Sequence, residues 1–101
     1  MHGSEARLRT RDFSREAEWL RALANPVRIK LLAAMTDKAR NVRDLVEVTG
    51  LPQSTVSQHL RVLRKEGIVN ATQSGREAHY DVAEPSVLQI LRYLGITTFV
   101  L

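Results

Sequence analysis

The stretch NVRDLVEVTGLPQSTVSQHLRVL, residues 41–63, predicts two short helices joined by a tight turn. The turn falls at residues 49–52, where Gly50 can adopt a positive φ without steric penalty and Pro52 suits the first turn of a helix. Apolar residues recur at helical spacing on both sides of this turn. The arrangement is typical of a helix-turn-helix, around which the rest of the chain is predicted to fold.

The second of these helices separates into an apolar face and a polar face when residues are placed about 100° apart. Val56, Leu60 and Leu63 fall on one stripe, and the opposite face has no carboxylate before Glu66. Hydroxyl, amide and cationic groups can donate hydrogen bonds to phosphates and base edges. The plain alternative is a solvated helix face. We expect the face to read the major groove through Ser54, Thr55, Ser57, Gln58 and Arg61.

Composition limits the possible functions. The chain has 101 residues, which is room for one domain, and a formal net charge of +4. The basic surplus favours a polyanionic partner and lies between residues 26 and 80, which hold nine basic and five acidic side chains. The absence of cysteine excludes disulfides and thiolate metal sites. With no apolar run of about 18 residues, the chain is expected to be soluble and cytoplasmic.

The segment before the helix-turn-helix predicts an arm and two helices. Residues 1–11 are polar and rich in arginine and are predicted to form a flexible N-terminal arm, and residues 12–101 a single domain. Asp12 suits the N-cap of a first amphipathic helix. Asn25 and Pro26 are predicted to end that helix and to begin the next.

The segment after the helix-turn-helix predicts a hairpin and a last helix. From Gly67 the apolar spacing changes from helical to alternating, which predicts strands over residues 68–72 and 78–82. A helix over residues 85–94 follows. The predicted fold is mainly α-helical with a small β-hairpin, in the order α-α-α-α-β-β-α of a winged helix-turn-helix.

The hairpin is predicted to act as a wing. Its turn contains one basic residue, and two further basic residues lie at the end of the preceding helix. Such groups hold phosphates or enter the adjacent minor groove. The alternative is a plain hairpin that closes the core. The residues predicted to hold phosphates are Arg64, Lys65 and Arg76.

The first and last helices carry more apolar surface than one small domain is expected to bury. This surplus predicts a homodimer. The closing segment ITTFVL, residues 96–101, is also expected to pack on a subunit. The predicted interface consists of Phe13, Trp19, Leu20, Val87, Ile90, Leu91 and Leu94.

The element order and three stretches of sequence resemble the ArsR/SmtB family of bacterial winged-helix repressors. LRALANPVRIKLLAAM (residues 20–35) resembles the entry into the family's second helix, and QSTVSQHLRVLRKEGIV (53–69) its recognition helix and following strand. GREAHYDV (75–82) resembles its wing. The resemblance covers about residues 17–94. It implies a homodimer that binds an imperfect inverted repeat in a promoter and blocks transcription.

The family's familiar sensing sites are missing from this sequence. Its thiolate site needs Cys-x-Cys in the helix before the turn, where this chain has residues 43–47, RDLVE. Its site on the last helix needs carboxylates and histidines, and residues 85–94 contain neither. The chain is therefore similar to the family's small metal-independent members, and no cofactor is expected.

Two histidines need a separate interpretation. His59 lies nearer to the apolar stripe than to the polar face of its helix, so it is predicted to be a structural residue with a hydrogen bond beneath the helix. His79 alternates with apolar neighbours and is predicted to face solvent. With Asp81 it would supply only two metal ligands, which do not make a site.

An enzyme and a protein-binding module are the alternatives to DNA binding. Ser57 and His59 point about 160° apart on one helix and cannot form a nucleophile–base pair. The sequence also has no Gly-rich phosphate loop and no paired carboxylates for a catalytic cleft, so an enzyme is not predicted. A protein-binding winged helix, or an activator or anti-repressor, remains an alternative. Release from DNA is left open between a small ligand at the dimer interface, a competing regulator and the abundance of the protein itself.

Overall fold

The computed structural model of the chain describes residues 3–96, which form six helices and two strands. The helix-turn-helix and the hairpin are present, so the predicted mainly α-helical winged fold is confirmed. In chain order the elements are α1 (Gly3–Thr10), α2 (Ser14–Leu23), α3 (Pro26–Ala33), α4 (Val42–Thr49), α5 (Gln53–Lys65), β1 (Val69–Ser74), β2 (Glu77–Val82) and α6 (Pro85–Tyr93). Residues 97–101, predicted to pack on a subunit, lie outside the described part.

The element order differs from the prediction by one helix. Five helices precede the hairpin instead of four, because most of the predicted arm is helical as α1. Glu5 in its first turn and Arg7 and Arg9 in its last turn complement the helix dipole. The side chains of residues 5–10 are all exposed, so α1 lacks the amphipathic spacing by which the other helices were found.

The start of α3 follows its predicted cap. The Asn25 Oδ1 accepts hydrogen bonds from the backbone N–H groups of Val27 (2.9 Å) and Arg28 (3.1 Å), and Pro26 opens α3. The start of α2 is one residue later than predicted. Phe13 occupies its cap position, although Asp12 still accepts a 3.0 Å hydrogen bond from the backbone N–H of Ser14.

The turn between α4 and α5 forms at the predicted residues, although Pro52 occupies the N-cap position of α5 and not its first turn. Gly50 has φ 74°, a left-handed conformation that ends α4, and Pro52 is extended and leads into α5. Val56, Leu60 and Leu63, the predicted apolar stripe of α5, are at most 2% exposed. Because this stripe faces the core, the opposite side of α5 must face outward. The core is completed by residues of several other elements, including Leu31, Leu32, Leu45, Ile68 and Val69.

The hairpin has a tighter turn than predicted. β1 and β2 pair in antiparallel register from Val69 opposite Val82 to Ser74 opposite Glu77, which leaves a two-residue turn at Gly75 and Arg76. A two-stranded hairpin alone is marginally stable. Here Arg40 supplies extra pairing, because its backbone N–H and C=O bond to the C=O (2.9 Å) and N–H (2.8 Å) of Tyr80.

Replacing Gly50 by alanine should lower the free energy of unfolding by about 1 kcal/mol, since an L side chain disfavours this φ. A Cβ here meets no atom within 4 Å, so the effect arises from the backbone alone. Gly50→Asn should destabilise less, because asparagine adopts the left-handed conformation more readily. Urea unfolding at one fixed protein concentration measures both variants. An alanine variant as stable as the parent would contradict the prediction.

Candidate nucleic-acid interface

The outward side of α5 carries the residues predicted to read the groove. Ser54, Ser57, Gln58 and Arg61 are exposed, and Thr55 is half-buried beside them. The helix contains no acidic residue between Gln53 and Lys65. The result is an exposed surface of hydrogen-bond donors on a helix whose other side is fixed in the core.

The three cations predicted to hold phosphates lie at two different places. Arg64 and Lys65, both exposed, line one cleft together with Ser57, Arg61 and Tyr80. Arg76, also exposed, lines a second cleft beside the start of α4 and α5. The tip of the hairpin therefore lies near the beginning of α5, while the other two cations lie near its end.

Sequence reasoning missed Arg43. It is exposed on the first turn of α4 and lines the same cleft as Arg76 and Gln53. The sequence predicts that Arg43 lies in the helix before the turn, but no contact with DNA was predicted for it. The signal available in the sequence was the position of Arg43 in the first turn of the helix before the turn. In a helix-turn-helix, that helix crosses the DNA backbone.

His59 makes its hydrogen bond on the inner side of α5, as predicted. Its Nδ1 lies 3.2 Å from the Nη1 of Arg28 on α3, and both side chains are half-buried. A guanidinium can only donate, so in this hydrogen bond the Nδ1 is the acceptor. The Nε of Arg28 also donates to the backbone C=O of Ala22 at 2.7 Å. Arg28 thus joins α2, α3 and α5.

His79 does not face solvent, and that prediction is wrong. The residue is half-buried, and its Nδ1 is shielded from water without a hydrogen-bond partner among the described residues. Every residue of β2 from Ala78 to Val82 is partly buried. Both faces of the strand are therefore partly covered, so an alternating pattern could not identify a solvent side. Within residues 3–96, no group of three or more His, Asp or Glu side chains could hold a metal ion.

The predicted dimer residues divide into two groups. Phe13, Leu20 and Leu94 are 46%, 55% and 56% exposed, and Trp19 and Ile90 are half-buried. Val87 and Leu91, at 0% and 2% exposed, lie in the core of the single chain, so their assignment to an interface is wrong. They occupy the inner side of α6, whereas Tyr93, which the prediction omitted, is 90% exposed.

Two hydrogen-bonded carboxylates order the beginning of α2. The hydroxyl and backbone N–H of Ser14 donate to Asp12 and lower the pKa of its carboxyl group. The pKa of Glu16 is lowered first by its own backbone N–H and then by Arg11, whose Nη2 lies 2.6 Å from the Glu16 Oε2. Arg11 also stacks over the ring of Phe13 at 4.7 Å. The exposed Phe13 ring thus lies beside a guanidinium that is itself paired with Glu16.

Similarity to known proteins identifies the family. A family model described as "Bacterial regulatory protein, arsR family" matches residues 25–71. The transcriptional repressor PagR of Bacillus anthracis is 36% identical over 81 residues, which are 79% of this chain and 81% of PagR. The chain belongs to the ArsR family. Its relatives are transcriptional regulators and not enzymes, as the sequence predicted.

One further relative and two solved structures are similar to this chain. The repressor SmtB of Mycobacterium tuberculosis is 42% identical over 74 residues, which are 73% of this chain but 55% of SmtB, so the chain spans about half of that relative. The crystal structure of PagR matches with a TM-score of 0.74 and 35% identity over 81% of this chain and 94% of PagR. The solution structure of Mb0332 from Mycobacterium bovis, described as a homodimeric winged helix-turn-helix DNA-binding domain, matches with a TM-score of 0.75 and 25% identity over 95% of this chain and 85% of that fragment.

No helix within residues 3–96 of this ArsR-family chain has the length and apolar character needed to cross a membrane.

Removing the guanidinium beneath the reading helix should destabilise this ArsR-family fold. Arg28→Ala is expected to lower the free energy of unfolding by about 1.5–3 kcal/mol, because it leaves the Ala22 carbonyl and the His59 Nδ1 without their charged donor. Urea unfolding provides the measurement. Arg21→Ala is the matched control, since its side chain is exposed on α2 and its loss should change stability by less than about 0.5 kcal/mol. Equal effects of the two variants would contradict the role of Arg28.

Proposed function

We propose that this chain is a homodimeric transcriptional repressor that binds double-stranded DNA at an inverted-repeat operator. The observation that carries the proposal is the division of α5 into a fully buried apolar stripe and an exposed face of donors without a carboxylate. In a helix-turn-helix the second helix enters the major groove with such a face toward the base edges. The repressors SmtB and PagR, both relatives of this chain, support the direction of regulation.

The side chains around α5 fall into two roles under this proposal. Gln58 suits adenine and Arg61 suits guanine, because each can form two hydrogen bonds to the major-groove edge of its base. Ser54, Thr55 and Ser57 can add hydrogen bonds to bases or phosphates. Arg64, Lys65 and Arg76 contact phosphates, which fixes the position of the helix without reading the sequence.

The proposed dimer forms through the outer sides of α2 and α6. Phe13, Leu20, Tyr93 and Leu94 expose apolar side chains on these helices, and Trp19 and Ile90 are half-buried there. The homodimeric description of Mb0332 supports an assembly of two subunits. A two-fold axis would place two reading helices in successive major grooves about 34 Å apart, which requires an inverted repeat.

The proposal places the protein in the cytoplasm, the compartment that contains bacterial DNA. Release from DNA is proposed to follow from a competing regulator or from a fall in the abundance of the repressor. A small ligand at the dimer interface is the third possibility. A reproducible stoichiometric rise in thermal stability with one metabolite would favour that ligand instead.

The experiment that tests the function starts with selection of bound duplexes from a random library of about 30 base pairs, long enough for two half-sites one helical turn apart. Fluorescence anisotropy then compares the selected duplex with a scrambled duplex at two salt concentrations. We expect an inverted repeat to be enriched and bound at least about 10³-fold more tightly than the scrambled duplex. Weak and equal binding to both would contradict the proposal and favour a winged helix that binds proteins.

Removing a base-reading side chain should reduce discrimination, whereas removing a phosphate contact should not. Arg61→Ala and Gln58→Ala are each expected to reduce the preference for the selected duplex by about 1–3 kcal/mol. Arg76→Ala should weaken binding to the selected and the scrambled duplex by the same factor. Anisotropy titrations of each variant with both duplexes measure these differences. Equal losses on both duplexes for all three variants would overturn the assignment of roles.

A charge on the outer side of α2 should separate the subunits. Leu20→Glu is expected to shift the protein from dimer to monomer, because it places a carboxylate in an apolar contact. Val48→Glu on α4 is the matched control, since Val48 is 54% exposed and Leu20 is 55% exposed. Sedimentation equilibrium measures the association state of both. A Leu20→Glu variant that remains a dimer, or dissociation of both variants, would contradict the assigned interface.

A further inference from the structure

A cleft of about 430 Å³ separates the helix-turn-helix from the tip of the hairpin. Its inner part is apolar and half-buried, formed by Val42 and Val46 of α4 and Ala78 of β2. Its outer edge carries two exposed guanidinium groups, Arg43 from α4 and Arg76 from the hairpin turn. The cleft thus combines an apolar floor with cations contributed by two separate elements.

The carboxylate among the residues that line the cleft, Glu77, accepts a hydrogen bond from a neighbouring side chain. Glu77, the first residue of β2, lies beside Arg76, and its Oε2 accepts a hydrogen bond from the Asn41 Nδ2. The Oδ1 of the same Asn41 accepts a 2.8 Å hydrogen bond from the backbone N–H of Asp44 and so caps α4. One asparagine therefore joins the helix that carries Arg43 to the strand that follows Arg76.

The hydrogen bond between Asn41 and Glu77 lies next to a backbone connection between the same parts of the chain. The residue before Asn41, Arg40, pairs through both its N–H and its C=O with Tyr80 of β2. The hairpin is consequently attached to the start of α4 at two successive residues, by backbone bonds and by a side-chain bond. The positions of Arg43 and Arg76 depend on one another through these bonds.

We propose that a sugar–phosphate segment of the DNA backbone occupies this cleft, held by Arg43 and Arg76, and that the Asn41–Glu77 hydrogen bond sets the spacing between the two cations. The proposal rests on the proposed function and extends it with a binding residue, Arg43, and a positioning residue, Glu77. A bare anion would be recognised by polar groups throughout, whereas deoxyribose also presents apolar surface to Val42, Val46 and Ala78.

Salt dependence provides the first test. Each phosphate contact adds about one to the slope of log affinity against log salt concentration, so Arg43→Ala and Arg76→Ala should each lower its magnitude by about one and the double variant by about two. Both the selected and the scrambled duplex should show these changes. Arg92→Ala on α6 removes the same charge outside the cleft and should leave the slope unchanged. A slope for Arg43→Ala equal to that of Arg92→Ala would overturn the role of Arg43.

A matched pair of substitutions at Glu77 tests the spacing. Glu77→Gln and Glu77→Ala both remove the negative charge, but only glutamine keeps an oxygen that can accept from Asn41. If Glu77 acted by repelling DNA, both variants would tighten binding equally. If it positions the wing, Glu77→Ala should bind about three- to tenfold more weakly than Glu77→Gln, and Arg76→Ala should have a smaller effect in its background. Equal affinity of the two Glu77 variants would overturn the positioning role.

Inorganic phosphate distinguishes a site for DNA backbone from a site for a small anion. At constant ionic strength, replacing chloride by phosphate should not displace the duplex from the parent protein. Displacement that is lost in Arg43→Ala would overturn the proposal in favour of a small-anion site. If the parent protein binds no duplex, the proposed function fails. If the parent protein binds tightly and the Arg43 and Glu77 variants bind with the same affinity and salt dependence, only this inference fails.

Discussion

Burial of the stripe formed by Val56, Leu60 and Leu63 is the constraint on which the rest of the structure depends. Each of these side chains contributes about 1.5–3 kcal/mol when fully removed from water. Rotating α5 about its axis by one residue position, about 100°, would expose them and bury polar groups instead. The core therefore determines the orientation of the outer face. Arg28 adds a polar contact to the same helix, because its guanidinium pairs with the half-buried Nδ1 of His59. The apolar stripe alone would leave that ring nitrogen without a partner.

The parts of the fold that depend on neighbouring residues could be predicted from sequence. Asn25 caps α3 through its own side chain, and Gly50 takes the positive φ that ends α4. The orientation of α5 was also predictable, because its apolar and polar residues separate cleanly at helical spacing. Helix α1 lacked such a signal, since a helix with no buried face has no periodicity to detect.

The parts that depend on tertiary neighbours could not be predicted in the same way. The apolar residues of α6 cover more than one side, and the sequence does not reveal that Val87 and Leu91 turn into the chain's own core while Leu94 remains outside. The same limit applies to His79, because both faces of β2 are partly covered. Arg43 and Arg76 are 33 positions apart, and only folding brings them to one cleft.

The attachment of the hairpin to α4 gives the candidate interface a fixed geometry. Two strands alone are marginally stable, so the direction of a free wing would vary, and ordering it on DNA would reduce the binding free energy. Arg40 and Asn41 remove part of that variation before binding, through backbone bonds to Tyr80 and a side-chain bond to Glu77. Because Asn41 also caps α4, whose turn at Gly50 leads directly into α5, the wing and the reading helix share one support. In the proposed complex, phosphate contacts at the hairpin would therefore fix the register in which α5 meets the base edges.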